Sequence, residues 1–168
     1  MTTRSLGAKN KHKGSHAERF YATLFKEMGY DKCQTARFGS RLHDNAGIDL
    51  INLPFNVQIK AGVQKNLSPG KVLLNMTAQI NALFMQGDPV RSYPLLLIYR
   101  PKPFSNNTDE DKVYMSREQW DMYKDRVLVM DNFTILKRKN KMNNPYGEIV
   151  CTSFNSLRNV LLPEENIF

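Results

Sequence analysis

Asp49, Gln58 and Lys60 stand at a spacing that a short hairpin can close into one chemical centre. They lie in GIDLINLPFNVQIKAG, residues 47–62. Side chains alternate faces along a strand, so Gln58 and Lys60 share one face while Val57 and Ile59 share the other. The intervening LPFN is short enough to fold the two apolar runs back on each other. Asp49 is then expected beside Gln58 and Lys60. A carboxylate, a carboxamide oxygen and an ammonium in one place suit metal-assisted attack on a phosphodiester. The bland reading makes Asp49 a turn residue after Gly47, and makes Gln58 and Lys60 the solvent face of an edge strand. The three alone are a weak signal, and the chemical reading gains its weight from Glu18 and the neighbouring stretches of the chain.

The whole-chain numbers point the same way. A net charge of +8 and a pI near 9.5 favour an anionic partner, and a long polyanion such as nucleic acid fits. The length of 168 residues and an apolar fraction of 41% match a single globular domain. The two cysteines, Cys33 and Cys151, show no CxxC spacing and no neighbouring histidine ligand. They read as reduced thiols of an intracellular, cytoplasmic protein and not as a zinc site. The basic N-terminus has no apolar core of a secretory signal, and no apolar run is long enough to span a membrane.

The elements around the hairpin follow from periodicity. Residues 1–13 are basic and aperiodic, and are expected to form a flexible arm, either touching a phosphate backbone or inert. Residues 14–168 are expected to form the domain. Ala17, Phe20, Tyr21, Leu24, Phe25 and Met28 recur at helical spacing, which predicts a helix over 15–28 stopped by Gly29. Ser15 and Glu18 have the form of a capping box. KVLLN at 71–75 reads as a short strand, with a helix from Asn75 or Thr77 to about Gln86. YPLLLIYR at 93–100 predicts a buried central strand. KVYM is a further strand, and Ser116 with Gln119 opens another capped helix. RVLVM, FTILK and GEIVCTS are strand candidates, KRKNK at 137–141 is a basic turn, and FNSLRNVLL predicts a C-terminal helix.

Three stretches together resemble a known family. KGSHAERF at 13–20 is similar to the opening helix of the archaeal-type Holliday junction resolvases. RFGSR at 37–41 resembles their serine-bearing loop ahead of the catalytic aspartate. Asp49 with Gln58-x-Lys60 resembles the active-site hairpin of the PD-(D/E)xK nuclease superfamily, in the variant with glutamine at the central acid. The match is good over residues 13–62 and continues loosely to about residue 124.

That resemblance implies an α/β fold with a restriction-endonuclease-like core, a central mixed β-sheet flanked by helices. It implies a magnesium-dependent, structure-selective DNA endonuclease that resolves four-way junctions, with manganese able to substitute. Glu18, Asp49, the Gln58 side chain and the Ile59 carbonyl would hold the metal, and Lys60 would orient the attacking water. Glu18 could instead close the capping box on Ser15, and both roles can coexist. Lys13, Arg19, Arg37, Ser40 and Arg41 would contact DNA, since guanidinium forks match phosphate. Branched DNA is the expected partner and a two-fold homodimer the expected assembly, with Leu83 and Phe84 offered as part of the interface. Two rivals remain: an Mrr-like or repair nuclease acting on duplexes or ends, and a non-catalytic DNA-binding module of the same fold. His16 and His43 are lone histidines and are left out of the metal set. Trp120 reads as core or interface.

Overall fold

The structure, a computed structural model, describes residues 6–124, 134–136 and 148–163. The expected strand at 126–130 and the basic turn at 137–141 lie outside the described residues, as do the first five residues of the arm.

The chain is α/β, with a seven-stranded mixed sheet between helices. Helix α1 runs Leu6–Glu27. Its apolar stripe of Ala17, Tyr21, Leu24 and Phe25 is buried, as the spacing requires. Gly29 follows the helix at φ 109, a conformation glycine adopts without strain. The start differs from expectation. Residues 6–13 are the first two turns of α1 and not a flexible arm. Lys, Leu and Ala are good helix formers, and extending a packed helix costs far less than nucleating one. Ser15 is therefore interior to the helix. No capping box with Glu18 forms, and the Ser15 hydroxyl accepts from Arg19 instead.

Strand β1 (Gln34–Thr35) leads into two short helical turns, α2 (Ala36–Gly39) and α3 (Arg41–Asn45). The hairpin follows, β2 (Leu50–Ile51) antiparallel to β3 (Asn56–Ala61), with Leu50 opposite Val57. Helix α4 (Pro69–Leu83) then crosses over to β4 (Leu95–Arg100), which runs parallel to β3 with Ile59 beside Ile98. Strand β5 (Lys112–Ser116), helix α5 (Arg117–Tyr123), β6 (Thr134–Leu136), β7 (Ile149–Ser153) and helix α6 (Phe154–Arg158) complete the described chain. The sheet order is β1-β2-β3-β4-β5-β7-β6.

Residues 71–75 are helical rather than a strand. A short apolar run does not reveal its own period, and here Leu73, Met76 and Ile80 recur at helical spacing and are all buried. Pro69 opens the helix, where its missing N–H costs nothing. Phe84 is 6% exposed and sits edge-on to the His43 ring at 4.9 Å, packed inside the chain. Leu83 packs partly buried against the same core.

The sheet is covered on both faces. On one, Tyr21, Phe25, Phe154 and Leu157 pack with Val57, Ile59, Leu96, Ile98 and Trp120. On the other, Leu73, Met76 and Ile80 pack with Ile48, Leu97, Tyr114 and Ile149. Strand β4 supplies both cores, which is why its sequence is continuously apolar. Ser116 caps α5 through Gln119 N–H at 3.2 Å, and Cys33 and Cys151 are free thiols. Among the described residues no helix is long and apolar enough to cross a membrane.

Arg100, at the end of β4, is fully buried. It pairs with Asp111, which also accepts from the Tyr21 hydroxyl at 2.6 Å, and it donates to the carbonyls of Ser105 and Asn107. The Phe20 ring lies 3.7 Å from its guanidinium carbon. One side chain thus ties the 101–111 loop and the sheet to α1. Arg100→Met should leave the Asp111 carboxylate buried without its cation, at a cost of about 3–5 kcal/mol. Urea denaturation measures this, and a loss below about 1 kcal/mol would show that the loop does not depend on the pair.

Candidate active site

Asp49 immediately precedes β2. Its N–H donates to the Val57 carbonyl at 2.7 Å, and its Oδ2 accepts from the Ile59 N–H at 2.6 Å. The side chain thereby takes over the ladder where backbone pairing ends. The N–H and C=O of one strand residue point to the same side, so the Ile59 carbonyl also faces the Asp49 side of β3. The Asp49 carbonyl accepts from Ala36 N–H at 2.8 Å, which fastens α2 to the same point.

Glu18 arrives from α1. It is 7% exposed and pairs with Arg37 Nη2 at 3.0 Å. Burial pushes its carboxyl above the ordinary range, Asp44 adds to this, and Arg37 and Arg19 oppose it. Asp49 is pushed up to about 7, chiefly by burial and further by Glu18 and Asp44, against the Ile59 N–H and Lys60. Glu18 and Lys60 therefore each lie within electrostatic reach of Asp49. A buried and a half-buried carboxylate whose charges oppose each other form a place where a cation is favoured.

Gln58 and Lys60 point away from Val57 and Ile59, toward α4. They open into a cleft of ≈ 320 Å³ whose polar lining also includes Asp44, Asn45, Asn75 and Gln79. Gly47 closes one wall at φ 75, and a Cβ there would stand 2.9 Å from Gln58 Nε2. Glycine is needed both for the backbone and for the room.

The donor set fits a hard divalent ion. Among the described residues no group of three or more His, Cys, Asp and Glu is gathered to hold a metal. An ion here would rest on the carboxylates of Glu18 and Asp49, completed by the Gln58 amide oxygen and the Ile59 carbonyl, an all-oxygen set of the kind magnesium prefers.

The cationic residues divide. Lys13 lies along Gly62 at the end of β3, its Cδ 3.4 Å from where a Cβ would sit, so it borders the Lys60 strand. Arg37 is at the centre through Glu18, and Arg41 is exposed on α3. Arg19 bonds Ser15 Oγ at 3.2 Å and lines a separate surface cleft of ≈ 410 Å³ with His16 and Phe20. Ser40 caps α3, accepting from His43 N–H at 3.4 Å and lying 2.7 Å from His43 Nδ1. Its hydroxyl is engaged within its own turn. Burial lowers the pKa of His43, which packs against Phe84. Sequence reasoning missed Asp44, Asn75 and Gln79. The 75–79 pair has helical spacing and lies on one face of α4.

Compared with known proteins, the chain matches no family model, no curated protein and no solved structure.

The pKa of Asp49 carries a sign for stability. Its folded value, about 7, lies above its ordinary 3.8, so the folded protein holds this proton more tightly than the unfolded chain does. The contribution is fully present below about pH 4 and is lost as pH rises through 7, by up to roughly 4 kcal/mol. Asp49→Asn keeps an acceptor for Ile59 and cannot ionise. In chelator it should be more stable than the parent at pH 8, with the two converging near pH 4. Parallel denaturation curves across this range test it, and a variant less stable at pH 8 would overturn the electrostatic account.

Proposed function

We propose that this chain is a magnesium-dependent DNA endonuclease with a restriction-endonuclease-like core, and that it resolves four-way junctions as a two-fold dimer. The observation that carries the reading is the Asp49 carboxylate, seated on the Ile59 N–H and within electrostatic reach of buried Glu18 and of Lys60. In this reading two acids, an amide and an ammonium from α1 and one hairpin would serve phosphodiester hydrolysis together. The charge of +8 supplies the attraction for DNA.

Magnesium, when bound, supplies an acidified water and stabilises charge on the phosphate. Asp49 and Glu18 would hold it, assisted by Gln58 and the Ile59 carbonyl. The Lys60 ammonium orients the water, whose oxygen bonds to phosphorus while its proton passes to solvent. It also steadies the phosphoryl oxygens as the P–O bond to the leaving oxygen breaks and that oxygen takes a proton from solvent. Arg37 uses part of its fork on Glu18 and keeps donors for a phosphate. Lys13, Arg19 and Arg41 bind the backbone without reading bases.

The test is cleavage of labelled four-way junctions and matched linear duplexes, with and without magnesium, and with excess linear competitor. Paired cuts in strands of like polarity, resistant to the competitor, are expected. Unpaired cuts with equal cutting of linear DNA would replace this reading with the duplex-nuclease one. Binding without cleavage under any divalent ion would leave a DNA-binding module. Asp49→Asn and Lys60→Ala should each lose nearly all cleavage while junction affinity stays close to that of the parent. Lys60→Ala should also retain metal binding.

Gln58→Glu isolates the amide. A carboxylate attracts a cation more than an amide dipole does, so divalent-ion affinity by calorimetry should rise. Unchanged or weaker affinity would remove Gln58 from the ligand set.

A further inference from the structure

Phe38 is 80% exposed, although the turn that carries it is tightly held. Ala36 N–H donates to the Asp49 carbonyl at 2.8 Å, and Ser40 N–H donates to the Ala36 carbonyl at 2.7 Å. A Cβ on Gly39 would stand 2.6 Å from Gln34 Nε2 and closer still to Ile51 Cδ1, so the turn lies pressed against β1 and β2. Arg37, the preceding residue, is anchored to Glu18. The phenyl ring therefore projects into water from a fixed support. Leu42, one short turn on, is also exposed at 43%.

A scattered exposed apolar side chain is ordinary. This one differs in its setting. The turn that carries it is bonded to the Asp49 carbonyl through Ala36, the side chain is aromatic, and Arg37 and Arg41 flank it in sequence. We propose that Phe38 is a stacking wedge that takes up an unstacked nucleobase at the branch point, while Arg37 and Arg41 hold the phosphates on either side. The inference rests on the nuclease reading and names the feature of the substrate that is recognised. Every base offers a π-face, so the contact selects an opened helix and not a sequence. A paired, stacked duplex has no face free to accept the ring. The flanking arginines also argue against a second copy of this chain on the patch, since a two-fold contact would set like charges opposite one another.

The test uses the full chain in chelator, with four-way junctions carrying 2-aminopurine at the branch point, and parallel cleavage assays in magnesium. The parent and Phe38→Tyr should change the 2-aminopurine emission on binding. Phe38→Ala should bind the junction about tenfold more weakly, produce no emission change, and bind linear duplex as the parent does. An unchanged emission response and affinity in Phe38→Ala would overturn the wedge. So would a change in sedimentation mass on Phe38→Ala with the emission response intact, which would mark the patch as a self-association surface. A parent that cuts junctions with no emission change refutes the wedge and leaves the nuclease reading standing. A parent that shifts the emission but cuts nothing refutes the nuclease reading and leaves the wedge standing.

Discussion

The hydrogen bond from the Ile59 N–H to the Asp49 carboxylate governs this molecule's chemically interesting corner. Backbone pairing between β2 and β3 ends at Leu50 and Val57, and the side chain of Asp49 supplies the next acceptor. A charge-assisted bond holds an acid more firmly than a neutral one would. It also places that acid in the plane of the sheet, where it is deep enough for burial to raise its pKa. Once Asp49 is held there, the Ile59 carbonyl must face the same side, and Gln58 and Lys60 must face α4.

The rest of the fold brings other groups to that point. Helix α1 lies across one face of the sheet through Tyr21 and Phe25, and Tyr21 reaches Asp111 beside buried Arg100. This anchoring, far from Asp49 in sequence, fixes the height at which Glu18 meets the hairpin. Arg37 closes the arrangement by pairing with Glu18 from a turn whose own backbone is bonded to Asp49. Residues from α1, α2 and the hairpin thus hold one another in place. The cost is two carboxylates kept close in a poorly solvated place, and such stored repulsion is what a cation would relieve.

Much of this was legible in the chain. Alternation along NVQIKA fixed which residues of β3 share a face, and the short LPFN connection allowed the hairpin. The apolar stripe of α1 and the unbroken apolar run of β4 announced their burial. The misreadings share a cause, which is that a local pattern has more than one physical use. Ser-x-x-Glu is a cap only where a helix begins, and α1 begins nine residues earlier than Ser15, at Leu6. KVLLN is an apolar run in either secondary structure, and only the core on which Leu73, Met76 and Ile80 close decides for helix.

The sequence by itself determined the periodicities, the chemical types and their order: which side chains were to be buried, and that an acid, an amide and an ammonium sat within one hairpin's length. Tertiary structure decided the distances between segments. It gave Arg37 to Glu18, bound Ser40 within its own turn, drew Phe84 inward and left Phe38 outside. It also brought Asn75 and Gln79 across from α4 to face Gln58 and Lys60. The reason is that side-chain periodicity is a local property of the backbone, whereas which faces meet depends on how all the apolar stripes are buried at once.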